Sequence, residues 1–487
     1  MERTVRYAAV LSRLMLCTVV MAALSACGSK LNRYALVEES LLAGDSQQAD
    51  RIVERAEPEY GSENRVLYDM DRGMTLHLAG YYQASNGFLE QAEQEVERLY
   101  TRRLRTEAKA FLINDAKLMY EGEPYEHTMI NIIKGLNYAV SGNWSEALVE
   151  ARRLDHRLNV LADTANAKDG YRDDAFARYL CGVFYETTGD LNNAFIAYRK
   201  AEEAYRAARP WSHTPVPPQL QADLLRMAHA LHLNEDVEAY RREFGEIAWR
   251  PSVETQPLAQ VVVISYNGRA PRKEDRIIDV PISMDALKLV LLTKLPPHPH
   301  SRDRRTVESV LYGLNGRIIR IAIPILIPQK TQVRYAQVTA SDDDDSYHAR
   351  TELVQNLTAV AEKSLSDRLT GISVKAVARA VVKYALADGA WLGDRAAVGK
   401  DEAGQLIGML VGGLAHVLAI ASEEADKRSW RTLPDEIQIA RLWLPPGEYR
   451  LQIQPVKRDG SAIGQTVTRT MILRGGETKL VTERVLP

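Results

Sequence analysis

Four places in this chain hold residue types that can do chemistry, and each also has a plainer reading. Cys27 in "LSACGSK" is a thiol directly after an apolar run, where its sulfur could take up a lipid chain. Trp430 stands between Arg428 and Arg431 in "DKRSWRTLPDEI". An indole face beside two guanidinium groups can stack on a sugar or peptide, or close over it as a cation–π lid. These three are the candidate ligand contacts; the plainer reading has Trp430 and Leu433 docking a helix end onto the strands. His298 and His300 in "LPPHPHSRDRR" could meet a metal adventitiously but sit in a proline-rich loop. "SDDDDS", Ser341 to Ser346, lacks the alternating ligand spacing of a calcium loop and reads as a solvated linker. No H-E-x-x-H, G-x-S-x-G, P-loop or paired-cysteine motif occurs. The expectation is a non-catalytic protein with no cofactor and no metal.

What the sulfur of Cys27 meets depends on the residues before it. Arg3, Arg6 and Arg13 precede an apolar run from Leu14 to Leu24, and Ser25 and Ala26 lead into the cysteine. Charged, apolar and small residues in that order make a secretory signal, and the apolar stretch is too short to span a bilayer. "LSAC" resembles the lipobox of bacterial lipoproteins. That resemblance implies a diacylglyceryl thioether, cleavage that leaves Cys27 first, and acylation of its amine. A plain signal with a chance cysteine, or an uncleaved anchor, is the alternative. Each buried methylene contributes about 0.8 kcal/mol, so two or three chains hold a protein on a membrane where one does so only marginally. Gly28 and Ser29 follow, not an aspartate, which favours the outer membrane with the body facing the periplasm. Helical patterning begins near Leu31, so the tether is short and the body sits against the membrane.

Composition adds exclusions. Hydrophobic residues make up 46% of the 487 and charged ones 26%, the balance of an ordinary globular chain. A net charge of -2 gives no global reason to bind nucleic acid. With Cys17 in the signal and Cys27 lipidated, Cys181 is the one thiol left and no internal disulfide can form. Packing must supply the stability.

The elements that position these residues start with a repeat. "KGLNYAVSGNWSEALVEA" aligns with "CGVFYETTGDLNNAFIAYRKA": Gly135 and Gly182 each precede Gly142 and Gly189 by seven residues, with Tyr138 matching Tyr185 and Ala147 matching Ala194. A third copy supplies Gly73, Gly80 and Ala92, a fourth Gly44, Ala49 and Ala56, and a fifth Ala239 with Asn234 at the turn. This is the tetratricopeptide pattern. Gly135 and Gly182 let antiparallel helices approach, and Ala147 and Ala194 accept the approach. Gly80, Gly142 and Gly189 close a helix in the left-handed conformation. Tyr138, Trp144, Tyr185 and Tyr198 fill the wedge between helices, and Cys181 takes an apolar core position. The turns are 36, 62, 47 and 45 residues apart, against about 34 in a regular array, so longer helices or loops are inserted. Such arrays stack into a solenoid whose concave face binds peptides or proteins.

From about Pro257 the texture changes. "AQVVVISYNGRAPRKEDRIIDVPI" reads as two strands joined by a turn at Asn267-Gly268. "GRIIRIAIPILIP", "KTQVRYAQVTA" and four strands after Glu436 continue it. Helices are expected between, over roughly Thr351–Ala387 and Gly404–Lys427. One β-sandwich interrupted by a helical insertion is the simplest account; two separate β modules are the rival. In "GQLIGMLVGGLAHVLAIA", Gly404, Gly408 and Gly412 have the four-residue spacing of close helix pairs, and His416 argues for a buried helix rather than a membrane span. Self-association through this helix is a further reading. Lys375, Arg379 and Lys383 make a basic stripe that reads as a solvated face.

"YNGRAPRKEDRIIDVPI", "VKAVARAVVKYAL" and "ADKRSWRTLPDEIQIARLWLPPGEYRL" together resemble an uncharacterised family of bacterial repeat-containing lipoproteins. The resemblance implies no catalytic residue. The family's relatives are associated with neighbours resembling lipoprotein activators of peptidoglycan synthases, which implies a role in the envelope. The expected fold class is α+β multidomain: a signal peptide at 1–26, a tetratricopeptide-like α-solenoid at 27–250, a β-rich region at 257–338, a helical insertion at 339–430, and strands at 431–487 completing a sandwich. Expected partners are envelope proteins or peptides on the solenoid and the membrane through Cys27. A glycan-binding or enzymatic module in the C-terminal half is the alternative.

Overall fold

Backbone geometry at the helix turns sets the architecture of the N-terminal half. The computed structural model describes residues 33–110, 118–163, 173–281, 318–387 and 424–486. Cys27, His298, His300, Gly404, Gly408, Gly412 and His416 lie outside them. Among the described residues five helical hairpins follow in order. They are α1 (33–42) with α2 (Ser46–Arg55), α4 (Arg65–Leu78) with α5 (Tyr82–Ala110), α6 (Pro124–Val140) with α7 (Trp144–Asp163), α8 (Ala175–Thr187) with α9 (Leu191–Ser212), and α10 (Pro218–Ala230) with α11 (Asn234–Phe244). A short α3 (Glu57–Tyr60) links the first two hairpins.

Each turn closes the same way. Gly44, Gly80, Gly142 and Gly189 have φ of 75°, 83°, 75° and 82°. The residue after each glycine donates its N–H five residues back, as Asp190 does to Tyr185 and Asn143 to Tyr138. That is the Schellman closure, which satisfies carbonyls left over at the helix end. The fifth turn corrects the sequence reading: His232, with φ of 57°, takes the left-handed position, and Leu233 donates to Ala228. Asn234 is instead the first residue of α11, which puts Val237 rather than Ala239 at the buried position five residues on. Histidine is among the side chains that tolerate this conformation.

The other glycines mark contacts where no side chain fits. A Cβ on Gly73 would lie 2.4 Å from Leu89, and one on Gly182 would lie 2.2 Å from the Tyr198 ring, each across its own hairpin. At Gly135 it would lie 2.9 Å from Phe184, in the next hairpin, so this glycine serves stacking between repeats. Gly182→Ala is expected to cost about 1–3 kcal/mol by overpacking, read as a lowered urea midpoint with unchanged m. A midpoint equal to wild type would show that Tyr198 moves freely.

Among the described residues ten strands build the C-terminal half. They are β1 (Ala259–Asn267), β2 (Arg272–Pro281), β3 (Ile318–Ile327), β4 (Val333–Ser341), β5 (Ser346–Arg350), β6 (Glu352–Asn356), β7 (Glu436–Leu444), β8 (Gly447–Lys457), β9 (Val467–Leu473) and β10 (Thr478–Val485). A short α12 (Ser252–Thr255) precedes them and a long α13 (Leu357–Ala387) follows β6. Two four-stranded sheets, ordered β10-β1-β7-β6 and β5-β4-β8-β9, draw on both β blocks of the sequence. β1 runs parallel to β10 and antiparallel to β7. Val261 and Val263 of β1 pack with Val338, Leu442, Leu451 and Ile453 between the sheets. The alternate residues Val262, Ile264 and Tyr266 face the repeats and join the helical core. β1 is thus buried on both faces, which is why it reads as a nearly unbroken apolar run.

Three expectations are corrected. β2 does not form a hairpin with β1; it pairs with β3 in a separate two-stranded ribbon, because both edges of β1 are already taken by β10 and β7. The helical insertion does not begin at 339, since β5 and β6 occupy that stretch and α13 starts at Leu357. "SDDDDS" is the turn of the β4–β5 hairpin rather than a linker. The Asp342 carboxylate accepts from the backbone N–H of Asp344 and Asp345, and those bonds hold its pKa below the ordinary aspartate value.

Candidate functional site

In a helical-repeat array the inner helices carry the residues that meet a peptide. Here those helices are α4, α6, α8 and α10, and a row of their polar side chains is buried against the chain's own β-module and the segment before β7. At one end Asp71 of α4 accepts hydroxyl hydrogen bonds from Tyr34 (2.8 Å), Tyr60 (2.7 Å) and Thr432 (3.0 Å). Next, His77 meets Asn137 through Nδ1 (2.6 Å) and the Tyr266 hydroxyl of β1 through Nε2 (3.1 Å). Burial pulls the His77 pKa down to about 4, so it is a neutral structural histidine near pH 7.

The middle of the face is held by Glu126. Its carboxylate closes the capping box of α6 by accepting from the Glu123 N–H (2.9 Å). It also accepts from the Tyr120 hydroxyl (2.7 Å) and the Trp430 backbone N–H (2.8 Å). Lys273 of β2 and Arg368 of α13 both pair with Glu123. Burial raises the Glu126 pKa to about 7, with Lys273 opposing. The folded chain therefore holds a proton on Glu126 between pH 4.5 and 7 that the unfolded chain has lost, so the Glu126 contribution to stability falls as pH rises through that window, while His77, neutral in the fold, contributes the opposite slope up to about pH 6.5. Glu126→Gln is expected to flatten this fall in melts recorded across the window. Glu436, raised to about 7 by burial and by Asp435, keeps part of the slope. An unaltered slope in the variant would mean that Glu126 is ionised throughout.

The far end is an ion-pair quartet. Arg441 of β7 reaches Asp223 of α10 at 2.5 Å and Glu186 of α8 at 2.8 Å. Arg226 reaches the same two carboxylates at 2.8 Å and 2.7 Å. The Tyr198 hydroxyl donates to Glu186 at 2.6 Å and the Tyr179 hydroxyl to Asp223 at 2.8 Å. Trp443 lies under both guanidinium groups, 5.3 Å from that of Arg226 and 5.8 Å from that of Arg441. Burial opposes charge on Glu186, but the two arginines and the hydroxyl hold its pKa at about 2. Beside the quartet, Tyr205 donates to the Val354 carbonyl (2.6 Å) and Gln355 to Asp174 (2.7 Å).

The candidate ligand contacts belong to this same junction. Trp430 is 1% exposed and cannot stack on a ligand. Arg428 pairs with Asp426 and the Leu118 carbonyl, with its guanidinium 5.0 Å from the Tyr120 ring. Arg431 pairs with Glu38 and lies 4.4 Å from the Tyr34 ring. The aromatic–cation contacts exist, but both partners come from this chain. The segment docks onto the repeats, chiefly α1, α6 and the α3–α4 turn, rather than onto the strands alone. The repeat residues sit as described above: Ala147, Ala194 and Tyr198 are fully buried, Tyr185 is buried, and Tyr138 and half-buried Trp144 pack against the core. Trp144 meets Phe184 edge-on at 6.1 Å. Cys181 is buried with its thiol toward the Ala151 carbonyl, and burial pushes its pKa to about 12. What sequence reasoning missed is the occupation of the face. One signal was present: Arg441 is a charged residue in the apolar run "IQIARLWL" and requires a buried partner.

Fold and site define a helix-rich N-terminal half joined to strand-rich open sheets. No protein-family model matches the chain, and no curated protein matches it. Two solved structures are similar over 45% of this chain, each with a TM-score of 0.26. One is a MamA RS-1 ArsTM double mutant, 17% identical and matched over 98% of its length. The other is MamA MSR-1 C2, 11% identical and matched over 95%. At that score the likeness establishes no shared fold, and the repeat reading rests on the turns and close approaches of this chain.

Proposed function

We propose that the protein is a non-catalytic scaffold of the bacterial envelope, built on tetratricopeptide-type repeats and held at the outer membrane by lipid on Cys27, facing the periplasm. The repeat half of the reading is carried by one observation: five successive hairpins close with the same left-handed turn and stack into one core. The envelope half is carried by the residues around "LSAC" and by the resemblance to repeat-containing lipoproteins, which also suggests a place near peptidoglycan assembly.

The inner face being filled, a partner meets the outer helices. Val149 of α7 and Ile196 of α9 occupy equivalent repeat positions, seven residues after Gly142 and Gly189, and are 37% and 40% exposed. A partner spanning adjacent repeats would use both. Crosslinked pull-down of the lipidated chain, wild type against a Val149→Asp, Ile196→Asp double variant, tests this. Loss of the same partner from the variant supports the scaffold; identical recovery rejects the outer face. Mass spectrometry of the amino-terminal peptide tests the anchor separately, and an unmodified Cys27 thiol in exported protein would refute it.

A further inference from the structure

Where β1 ends, two arginines from distant parts of the chain meet a single carboxylate, and a third arginine lies within electrostatic reach of it. Arg269 follows the Gly268 turn, Arg431 comes from the segment before β7, and Arg484 lies near the end of β10. Glu38 of α1 faces the first two: Arg269 Nε is 3.3 Å and Arg431 Nη2 3.4 Å from its oxygens. Arg484 makes no such pair. Its Nη2 donates to the carbonyls of Gly268 (2.9 Å) and Leu433 (3.2 Å), while its Nε and Nη1 are shut off from water with no hydrogen-bond partner among the described residues.

Three guanidinium groups against one carboxylate leave an excess of two positive charges. A buried charge is costly unless paired and hydrogen-bonded. Burial pulls the Arg484 pKa down to about 10, Tyr266 and Glu38 opposing and Arg269 adding to the fall, so the surroundings disfavour its charge as they stand. Salt links beyond 3.2 Å to a shared carboxylate are also long for charge-assisted bonds, which run at about 2.7–2.9 Å. The cluster is reachable, since the side chains of Arg269 and Glu38 are 33% and 24% exposed.

We propose that Arg269, Arg431 and Arg484 form a binding site for a phosphate or phosphomonoester dianion, with Glu38 as the internal carboxylate that the ligand displaces. A phosphate carries about 1.5–2 negative charges near neutral pH, more than the single carboxylate it displaces, and its oxygens suit the planar donor forks of arginine. Two sources share this chemistry: free phosphate, and a phosphomonoester headgroup in a membrane. The described part of α1 starts at residue 33, six residues after Cys27 in sequence, which brings the site near a bilayer if the lipid anchoring proposed above holds. Binding of soluble phosphate does not depend on that anchoring.

The test is calorimetric titration of the full-length chain in non-ionic detergent with inorganic phosphate, acetate, dioctanoyl phosphatidic acid and dioctanoyl phosphatidylcholine. Saturable phosphate binding well above that of acetate is expected, weakened roughly ten-fold by Arg269→Gln or Arg431→Gln. Glu38→Gln should tighten it, an effect that general structural damage would not produce. Phosphate should also raise the melting temperature of wild type and not of Arg269→Gln. Phosphatidic acid binding more tightly than phosphate, with phosphatidylcholine silent, assigns the site to a membrane headgroup; equal binding assigns it to free phosphate. Absence of saturable binding, binding no better than acetate, or binding unaltered in both arginine variants would overturn the proposal.

Discussion

Arg441→Ala is expected to destabilise the protein by about 3–5 kcal/mol, the cost of breaking a buried ion pair from one side. Asp223 and Glu186 would keep Arg226 as their one cation, and the Tyr198 hydroxyl would lose a neighbour at 3.2 Å. Because the arginine stands on β7 and the carboxylates on α8 and α10, the loss falls on the junction between repeats and β-module. Early protease cleavage in the connection at 245–258 is expected alongside a lower urea midpoint. Arg441→Lys should recover only part of the loss, since an ammonium cannot bridge two carboxylates as a planar fork does. A variant within about 1 kcal/mol of wild type would mean that Arg226 alone satisfies both acids and the quartet is no latch.

Trp430→Ala should cost a similar amount, about 3–5 kcal/mol, by opening a cavity at one of the largest fully buried side chains. The comparison with Trp430→Phe is the informative one. The indole N–H has no hydrogen-bond partner among the described residues, so phenylalanine gives up volume and no bond. The phenylalanine variant should therefore stay much closer to wild type than the alanine one. A ligand-stacking tryptophan would behave differently, with Trp430→Ala leaving the melt unchanged while removing binding to purified peptidoglycan in sedimentation. That pattern would contradict the buried docking role.

Both predictions concern a repeat array that is not an open groove. Asp71, His77, Glu126, Glu186 and Asp223 lie where a peptide would be read, and each is bonded to the β-module or to the segment before β7. Val262, Ile264, Tyr266, Ile437 and Ile439 lie in the same apolar core as the helices. Deleting the repeats would expose one face of the β10-β1-β7-β6 sheet, so point substitutions on the outer helices are the sounder way to probe partner binding.

The parts of this protein legible in its sequence are those whose physics is local. A glycine at a left-handed turn and the apolar run of β1 each act within a few residues, so the four glycine turns and the strand character could be read directly. The fifth turn escaped because His232 takes the left-handed conformation without the glycine that normally marks it. The partner of β2 and the β5–β6 strands ahead of α13 depend on which sheet edges remain free, which no short stretch encodes. Tertiary structure alone decided what covers the repeat face. Arg441 meets Asp223 across 218 residues and Tyr266 meets His77 across 189, and a charge or hydroxyl in the sequence announces a need for a partner without naming it.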